Sequence, residues 1–591
     1  WCGGAGWCGG AGWCGGAGCG AGGGGRHAMT GHLVAMAARL VTQAGGGSGG
    51  SGQTPAAGCT VRPEGVHGIC TAPASLHIPV EYHTILPELI LIGGALVILV
   101  VSSVLPKRSR PGLWVALTVL TGLGAFGASV WLWNQLDPKV AKLAIGNAIA
   151  VDRYSVFFMV LVSSAIVLAA LIADSYLRRE RLEGPEFYVL ALLSGSGAMI
   201  MAAANDLIVI FLGLEILSIA LYVLAGYHRR RAVSGEAAMK YFVLGAFSSA
   251  IFLYGIALVY GATGSTRLDE IATFLSQNHL TNGVLLAGLV LILVGLGFKV
   301  AAVPFHTWTP DVYQGSPTPV TGFMAAVAKA AGFSGLIRIL LSAFPTLAND
   351  WRPVLWVLAV LTLLVGSVLA VVQNDIKRML AYSSISHAGY VLIAVQSATS
   401  NGRAAALFYL LSYTFMVLGS FAVVSVVGGE GEAHNDLNGY RALSSRRPGL
   451  ALLLTVFLLA QAGVPFTTGF FAKFYVISAA VDQGQYALAV IAMLAAAIAA
   501  FFYLRITILM YSSAGEAAPE PAGAGAGAGV GAGATDGQGG GVAVQAPPET
   551  GRIVIPVGVG MALAVCVAFT VAMGIVPTPI ITFARHATLL F

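Results

Sequence analysis

Apolar runs long enough to cross a bilayer, about 20 residues each, recur from residue 85 onward and dominate the pattern of this chain. They fall near 85–105, 112–133, 153–174, 187–204, 206–227, 236–260 and 283–303. The series continues at 319–342, 353–372, 377–397, 403–428, 449–482, 485–511 and 552–577. The pattern predicts an all-α, polytopic membrane protein with about 14 transmembrane helices. Two spans are irregular. The seventh runs on into Pro304-Phe305-His306, and the twelfth is too long for one crossing and contains Pro465. A proline inside a helix removes a hydrogen bond and clashes with the preceding turn, so both spans are expected to break in mid-course.

The polar and low-complexity stretches divide the rest. Residues 1–75 are Gly/Ala-rich, begin with a Trp-Cys-Gly-Gly repeat, and lack the basic and apolar regions of a signal peptide. They are expected to be a disordered extension or an over-extended gene start. Residues 512–551 alternate Ala with Gly, end in prolines and read as a flexible linker before a last membrane helix in 552–591. Between these lie the first four spans (76–205) and two stretches that resemble each other, 187–342 and 353–511. Asp206 to Tyr222-Val223-Leu224 parallels Asp375 to Tyr390-Val391-Leu392, and Val303-Pro304-Phe305 parallels Val464-Pro465-Phe466. Each copy holds five spans. Five is odd, so consecutive copies must be inverted, and broken helices at matching places in inverted repeats point to an ion site.

Composition and charge sharpen this picture. Of 591 residues 57% are hydrophobic and 9% charged, with mean hydropathy +0.82, whereas soluble domains carry about 25% charged residues. The net charge of +6 matters through its placement. Lys107/Arg108/Arg110, Arg178/Arg179/Arg181, Arg229/Arg230/Arg231, Lys377/Arg378 and Arg441/Arg446/Arg447 follow spans 1, 3, 5, 9 and 11. The positive-inside rule then puts both termini on the outer side of the plasma membrane. The cysteine spacing fits neither zinc pairs nor an iron–sulfur run. No Walker or Rossmann glycine motif occurs. No cofactor is therefore expected in this chain, no nucleic-acid partner is indicated, and the driving energy has to come from partners.

Within the apolar spans stand Glu215, Lys240, Lys299, Lys329 and Lys473. An ionisable group at the centre of a membrane helix costs roughly 2.5–3.5 kcal/mol, so such groups pair or line a hydrated path and are functional by default. Lys299 lies just before Pro304, and Lys473 follows Pro465. An ammonium beside a broken helix can meet freed carbonyls and trapped water. Burial disfavours an ammonium and a nearby carboxylate favours it, so a lysine whose acidic partner can move is a proton switch. Glu215 suits the acidic role, with Lys240 or Lys299 as its counter-charge. Lys240, one turn past Glu236, has snorkelling to the membrane surface as its alternative. Lys329, among alanines and Gly332, would join Lys299 to Lys473 in a lateral row. His306 and His387 are possible relays. Asp152, Asp206 and Asp311 lie near helix ends, where a capping or interfacial role is expected. Arg505 is expected to snorkel or pair.

The stretch from Lys299 through Pro304-Phe305-His306-Thr307-Trp308-Thr309-Pro310-Asp311-Val312-Tyr313, with Gly315-Ser316-Pro317-Thr318-Pro319-Val320, resembles the antiporter-like proton-translocating subunits of respiratory complex I. Ala381-Tyr382-Ser383-Ser384-Ile385-Ser386-His387 and Gly469-Phe470-Phe471-Ala472-Lys473-Phe474 are similar to the same family, and the likeness covers roughly residues 80–577. Three features narrow it to one subunit type: fourteen spans, a lysine rather than a glutamate in the broken twelfth span, and no long lateral C-terminal helix. Phe466 stands where the family commonly has a second proline. The resemblance implies a Glu215–lysine pair coupled to Lys299, a connecting Lys329 and a terminal Lys473. It also implies further antiporter-like membrane subunits as partners, with NADH, FMN, iron–sulfur clusters and quinone bound by other subunits. A multi-subunit Mrp-type cation/proton antiporter and a membrane-bound hydrogenase share the constellation. A passive membrane scaffold is the alternative of another class.

Overall fold

A computed structural model describes residues 81–105, 112–278, 282–512 and 555–590. The N-terminal extension, nearly all of the 512–551 linker, and the loop cations Lys107, Arg108 and Arg110 lie outside the described residues.

Helices occupy every predicted apolar run. The first group comprises α1 (Leu86–Val104), α2 (Leu113–Gln135), α3 (Arg153–Arg179), α4 (Pro185–Ala203), α5 (Leu207–Ala225) and α6 (Ala232–Thr263). A short surface helix, α7 (Leu268–Gln277), precedes α8 (Gly283–Val300), α9 (Trp308–Gly315) and α10 (Thr318–Ala343). Then come α11 (Ala348–Val371), α12 (Ile376–Gln396), α13 (Ser400–Val427) and a single turn, α14 (Leu443–Arg446). The series closes with α15 (Pro448–Ala462), α16 (Thr468–Asp482), α17 (Tyr486–Tyr511), α18 (Val557–Ile575) and α19 (Thr578–His586). Among the described residues, twelve helices are long and apolar enough to cross a membrane singly. α12 has 21 residues but carries Lys377, Arg378, several serines and His387. α15 and α16 have 15 residues each, too short to span about 30 Å of hydrocarbon alone at 1.5 Å per residue.

Burial sorts the helices. α13 is buried along its whole apolar window and α10 along nearly all of it, while only about a quarter of α1 and α2 is buried. A helix apolar on all sides belongs in a protein interior, and α13 fits with Ala404-Ala405-Ala406, Gly419 and Ser420 facing its neighbours. α10 is not a uniform α-helix. π turns at Met324–Ala328 and Ile339–Ala343 interrupt it, the first immediately before Lys329, and such turns recur at functional sites.

A two-stranded hairpin, β1 (Lys142–Ala144) with β2 (Ile149–Val151), leads into α3. Asp152 caps that helix by accepting from the Ser155 amide at 2.8 Å, the expected role. It also forms a fully buried ion pair with Arg338 at 2.7 Å, which its position in the sequence did not suggest. Asp206 and Asp375 cap α5 and α12 in the same manner. Arg505 donates to the Val371 carbonyl at 2.9 Å and to the Asn374 side chain at 3.2 Å.

Candidate functional site

Both expected breaks are present, and each places a lysine. α8 ends one residue after Lys299, where Ala301 takes a left-handed conformation (φ 62°) and the Ala302 amide bonds back to the Gly297 carbonyl at 2.8 Å. This is a helix-ending turn that re-satisfies freed carbonyls. The Val303 amide finds the Thr362 hydroxyl of α11 at 2.9 Å, and the Trp308 indole donates to the Phe298 carbonyl at 3.0 Å. Irregular backbone at membrane depth is tolerated only with such partners. The Lys299 side chain is buried, and its Nζ donates to Ser218 Oγ at 2.8 Å and Tyr241 Oη at 3.3 Å. Beside it lies a cavity of about 10 Å³ bordered by Ser218, Tyr222, Ser248, Ser249 and Lys299, near the size that admits a single water.

Glu215 sits one turn before Ser218 on α5. Its Oε1 is buried without a hydrogen-bond partner, and among the described residues no cation lies within 4.0 Å of its carboxylate. Lys240 is engaged elsewhere. Its Nζ is 2.8 Å from Asp311 and 2.7 Å from Glu236, and its side chain is 41% exposed. Arg378 of α12 grips the other Asp311 oxygen at 2.6 Å. Asp311 and Lys240 line a polar cavity of about 380 Å³ together with Glu236, Gln314, Asp375 and Glu432. Lys299 therefore rests on a hydroxyl of the Glu215 helix rather than on Glu215 itself, and Lys240 is at the mouth of a cavity.

Lys329 and Lys473 occupy the other half. The stem of Lys299 packs directly on α10 because position 332 is glycine; a Cβ there would lie 3.3 Å from Lys299 Cγ and 2.8 Å from Val300 Cγ1. Three residues earlier on α10, the buried Lys329 ammonium donates to the Ser384 carbonyl of α12 and lies 5.6 Å from the Tyr413 ring centre. His387, one turn on, touches two phenols: Nδ1 is 2.6 Å from Tyr409 Oη and Nε2 is 3.1 Å from Tyr503 Oη. Tyr503 also bonds Ser383, and Gln461 Oε1 lies 3.4 Å from each of them. Tyr409 stacks on Tyr390, whose ring centre is 5.1 Å from Lys473 Nζ. That ammonium donates at 2.7 Å to the carbonyl of Ala462, the last residue before the second break. Gly463 turns the chain there with φ +94°.

The structure thus joins Lys299, Lys329, His387 and Lys473 through α8, α10, α12 and α16. Lys240 and His306 stand apart from that row. His306 is half-buried in the first break, and its Nδ1 has no hydrogen-bond partner. Reading the sequence missed Ser218, Tyr241, Tyr390, Tyr409, Tyr503 and Gln461. Their only signal is a polar atom in an otherwise apolar run, which a serine or tyrosine in a membrane helix rarely makes conspicuous.

Helices broken beside the buried Lys299 and Lys473 define an antiporter-like membrane protein. A family model described as NADH:quinone oxidoreductase/Mrp antiporter, transmembrane region, matches residues 204–499. NADH-quinone oxidoreductase subunit N of Trichlorobacter lovleyi is 46% identical over 445 residues, covering 75% of this chain and 90% of that relative. The chain belongs to this family, among the relatives named subunit N. A chain of respiratory complex I from Thermus thermophilus with bound aureothin superposes with TM-score 0.66 at 31% identity, covering 84% of this chain and 99% of that one. A chain of the Mrp complex from Dietzia sp. gives TM-score 0.72 at 22% identity over 85% of this chain and 96% of its own, a likeness of fold alone.

Proposed function

We propose that this chain is a membrane subunit that translocates protons in a NADH:quinone oxidoreductase, driven by electron transfer in partner subunits. The observation that carries the reading is how the three buried lysines are held. Lys299 rests on Ser218 and Tyr241, Lys329 on the Ser384 carbonyl and Lys473 on the Ala462 carbonyl. An ammonium held by neutral acceptors can give up its proton without leaving a bare carboxylate in low dielectric, where an unpaired charge is costly. Charge rearrangement near Glu215 loads or unloads Lys299. The proton then passes Lys329, His387 and its two phenols toward Lys473, with Lys240 and Asp311 at the mouth of the larger cavity. His306 is a further relay candidate.

Several finer points accompany this reading. Residues 187–342 and 353–511 act as two inverted five-helix units, and both termini lie on the outer side of the cell membrane. NADH, FMN, iron–sulfur clusters and quinone are bound by partner subunits, among them other antiporter-like membrane subunits. The subunit N relatives, at higher identity than the Mrp chain, favour quinone-linked pumping over cation exchange.

Lys299→Ala in the assembled complex tests the relay. In inverted membrane vesicles, NADH-driven proton uptake should collapse while the complex still assembles. Unaltered uptake would reject it, and sodium-dependent exchange without NADH-linked activity would favour the antiporter reading.

A further inference from the structure

The connection between α13 and α14 sends one side chain into the protein. Glu432 has a left-handed backbone (φ 57°), and its carboxyl group is 1% exposed. A non-glycine residue held there costs of order 1–3 kcal/mol and persists only where its surroundings over-determine it. They do so here. One carboxylate oxygen accepts from the Thr318 amide at 2.8 Å and from its hydroxyl at 2.6 Å. The other takes Arg231 at 2.7 Å, Lys377 at 2.9 Å and Asn435 at 3.3 Å. Glu180 holds the same loop from outside, accepting from the Gly431 amide at 3.1 Å.

Thr318 is the first residue of α10 and Lys377 the second of α12. At the start of α10 the carboxylate accepts a backbone amide and meets the positive end of that helix's dipole, and it holds α12 through the Lys377 side chain. Charge-assisted bonds of this kind are about twice as strong as neutral ones. About two to three turns further along the same two helices, Lys329 of α10 donates to the Ser384 carbonyl of α12. Lys377 also donates to the Ser316 carbonyl at 2.5 Å, so the base of the pair is tied a second time. Arg231, in the connection to α6, ties this point to the helix that carries Lys240 and Tyr241.

We propose that Glu432 is a positioning residue of the relay. Its carboxylate clamps the first turns of α10 and α12 together, and so fixes where the Lys329 ammonium meets the Ser384 carbonyl. The inference rests on the relay function proposed above. Nothing in Glu432 itself transfers a proton along the row; it acts through the helix pair. A contact about 16 Å along α10 from its first turn (eleven residues at 1.5 Å each) is sensitive to small changes in spacing at the base.

The test uses the whole complex in inverted membrane vesicles. Glu432→Gln keeps the shape and one acceptor oxygen for Thr318 but removes the charge that Lys377 and Arg231 share. Proton uptake per assembled complex should fall at least about twofold, the low end for coupling carried through packed side chains. Glu432→Asp should restore part of it. In a Lys329→Ala background, adding Glu432→Gln should cause no further fall. A merely structural role predicts fewer assembled complexes with unchanged uptake per complex, and that result overturns the proposal, as does an independent further fall in the double variant. If Glu432→Gln does not assemble, Thr318→Val removes only the hydroxyl contact and should lower uptake in the same direction; no change in it also overturns the proposal. Loss of uptake in Lys299→Ala beside a neutral Glu432→Gln rejects the clamp alone, whereas normal uptake in Lys299→Ala rejects the relay beneath it.

Discussion

Single residues set the positions of the lysines more tightly than their own side chains can. An ammonium on a four-carbon stem has many rotamers, and burial against a fixed wall selects one. For Lys473 the wall is Gly463. Its φ of +94° is a glycine conformation, and a Cβ there would lie 3.0 Å from Lys473 Cδ. Gly463→Ala should therefore do two things. The backbone penalty, about 1–2 kcal/mol, should lower the melting temperature of the assembled complex slightly. The added methyl should push the lysine stem away from the Ala462 carbonyl and reduce proton uptake in vesicles. A variant with the lower melting temperature but undiminished uptake would show that the Lys473–Ala462 contact has no bearing on transport.

At the scale of elements, the breaks decide most of what is unusual in this fold. Each interrupts an apolar helix and frees backbone groups, which are met in part by the helix's own ending turn and in part by side chains from elsewhere. The Val303 amide depends on Thr362 of α11. Thr362→Val keeps the shape and removes the acceptor, so the subunit should lose about 1–3 kcal/mol, the cost of one buried unpaired amide. Thermal denaturation of the complex reads this loss, and an unchanged midpoint would mean the amide has another partner. The breaks were legible in the sequence because proline in an apolar run has few other meanings, and Lys299, Lys329 and Lys473 because an ammonium in lipid is conspicuous. The π turn before Lys329 was not legible, since Met324-Ala325-Ala326-Val327-Ala328 is good helix sequence and only packing decides its extra residue. Nothing in the sequence marks Tyr409 and Tyr503, whose hydroxyls meet His387, or Tyr390, whose ring lies beside Lys473 while its hydroxyl donates to the Ala492 carbonyl. Glu432 lies in a polar connection where the sequence carries no sign that it is buried. Only in the fold do Thr318, Arg231 and Lys377 converge on its carboxylate.

Across the whole molecule, that carboxylate is one point where segments distant in sequence meet, and its charge contributes to holding them there. Burial alone would raise the proton affinity of Glu432, but Lys377 and Arg231, aided by Thr318, hold it well below the usual carboxylate range. A carboxyl group whose folded value is depressed stabilises the fold fully above its unfolded value, about 4.3, and loses that contribution only as pH falls through the lower folded one. The difference in melting temperature between wild type and Glu432→Gln should therefore be flat between about pH 5.5 and about pH 8. A difference that shrinks inside this interval would place the titration of Glu432 there and contradict the ion-pair geometry. The stretch between Lys329 and Lys473 has a consequence of another kind. A ring nitrogen 2.6 Å from a phenol oxygen leaves no gap that a sodium ion could occupy. A dehydrated metal cation needs a shell of several oxygens around it. A hydrogen nucleus needs only the next lone pair. On the proposed route a proton would pass here as an exchange of bonding partners rather than as a travelling particle.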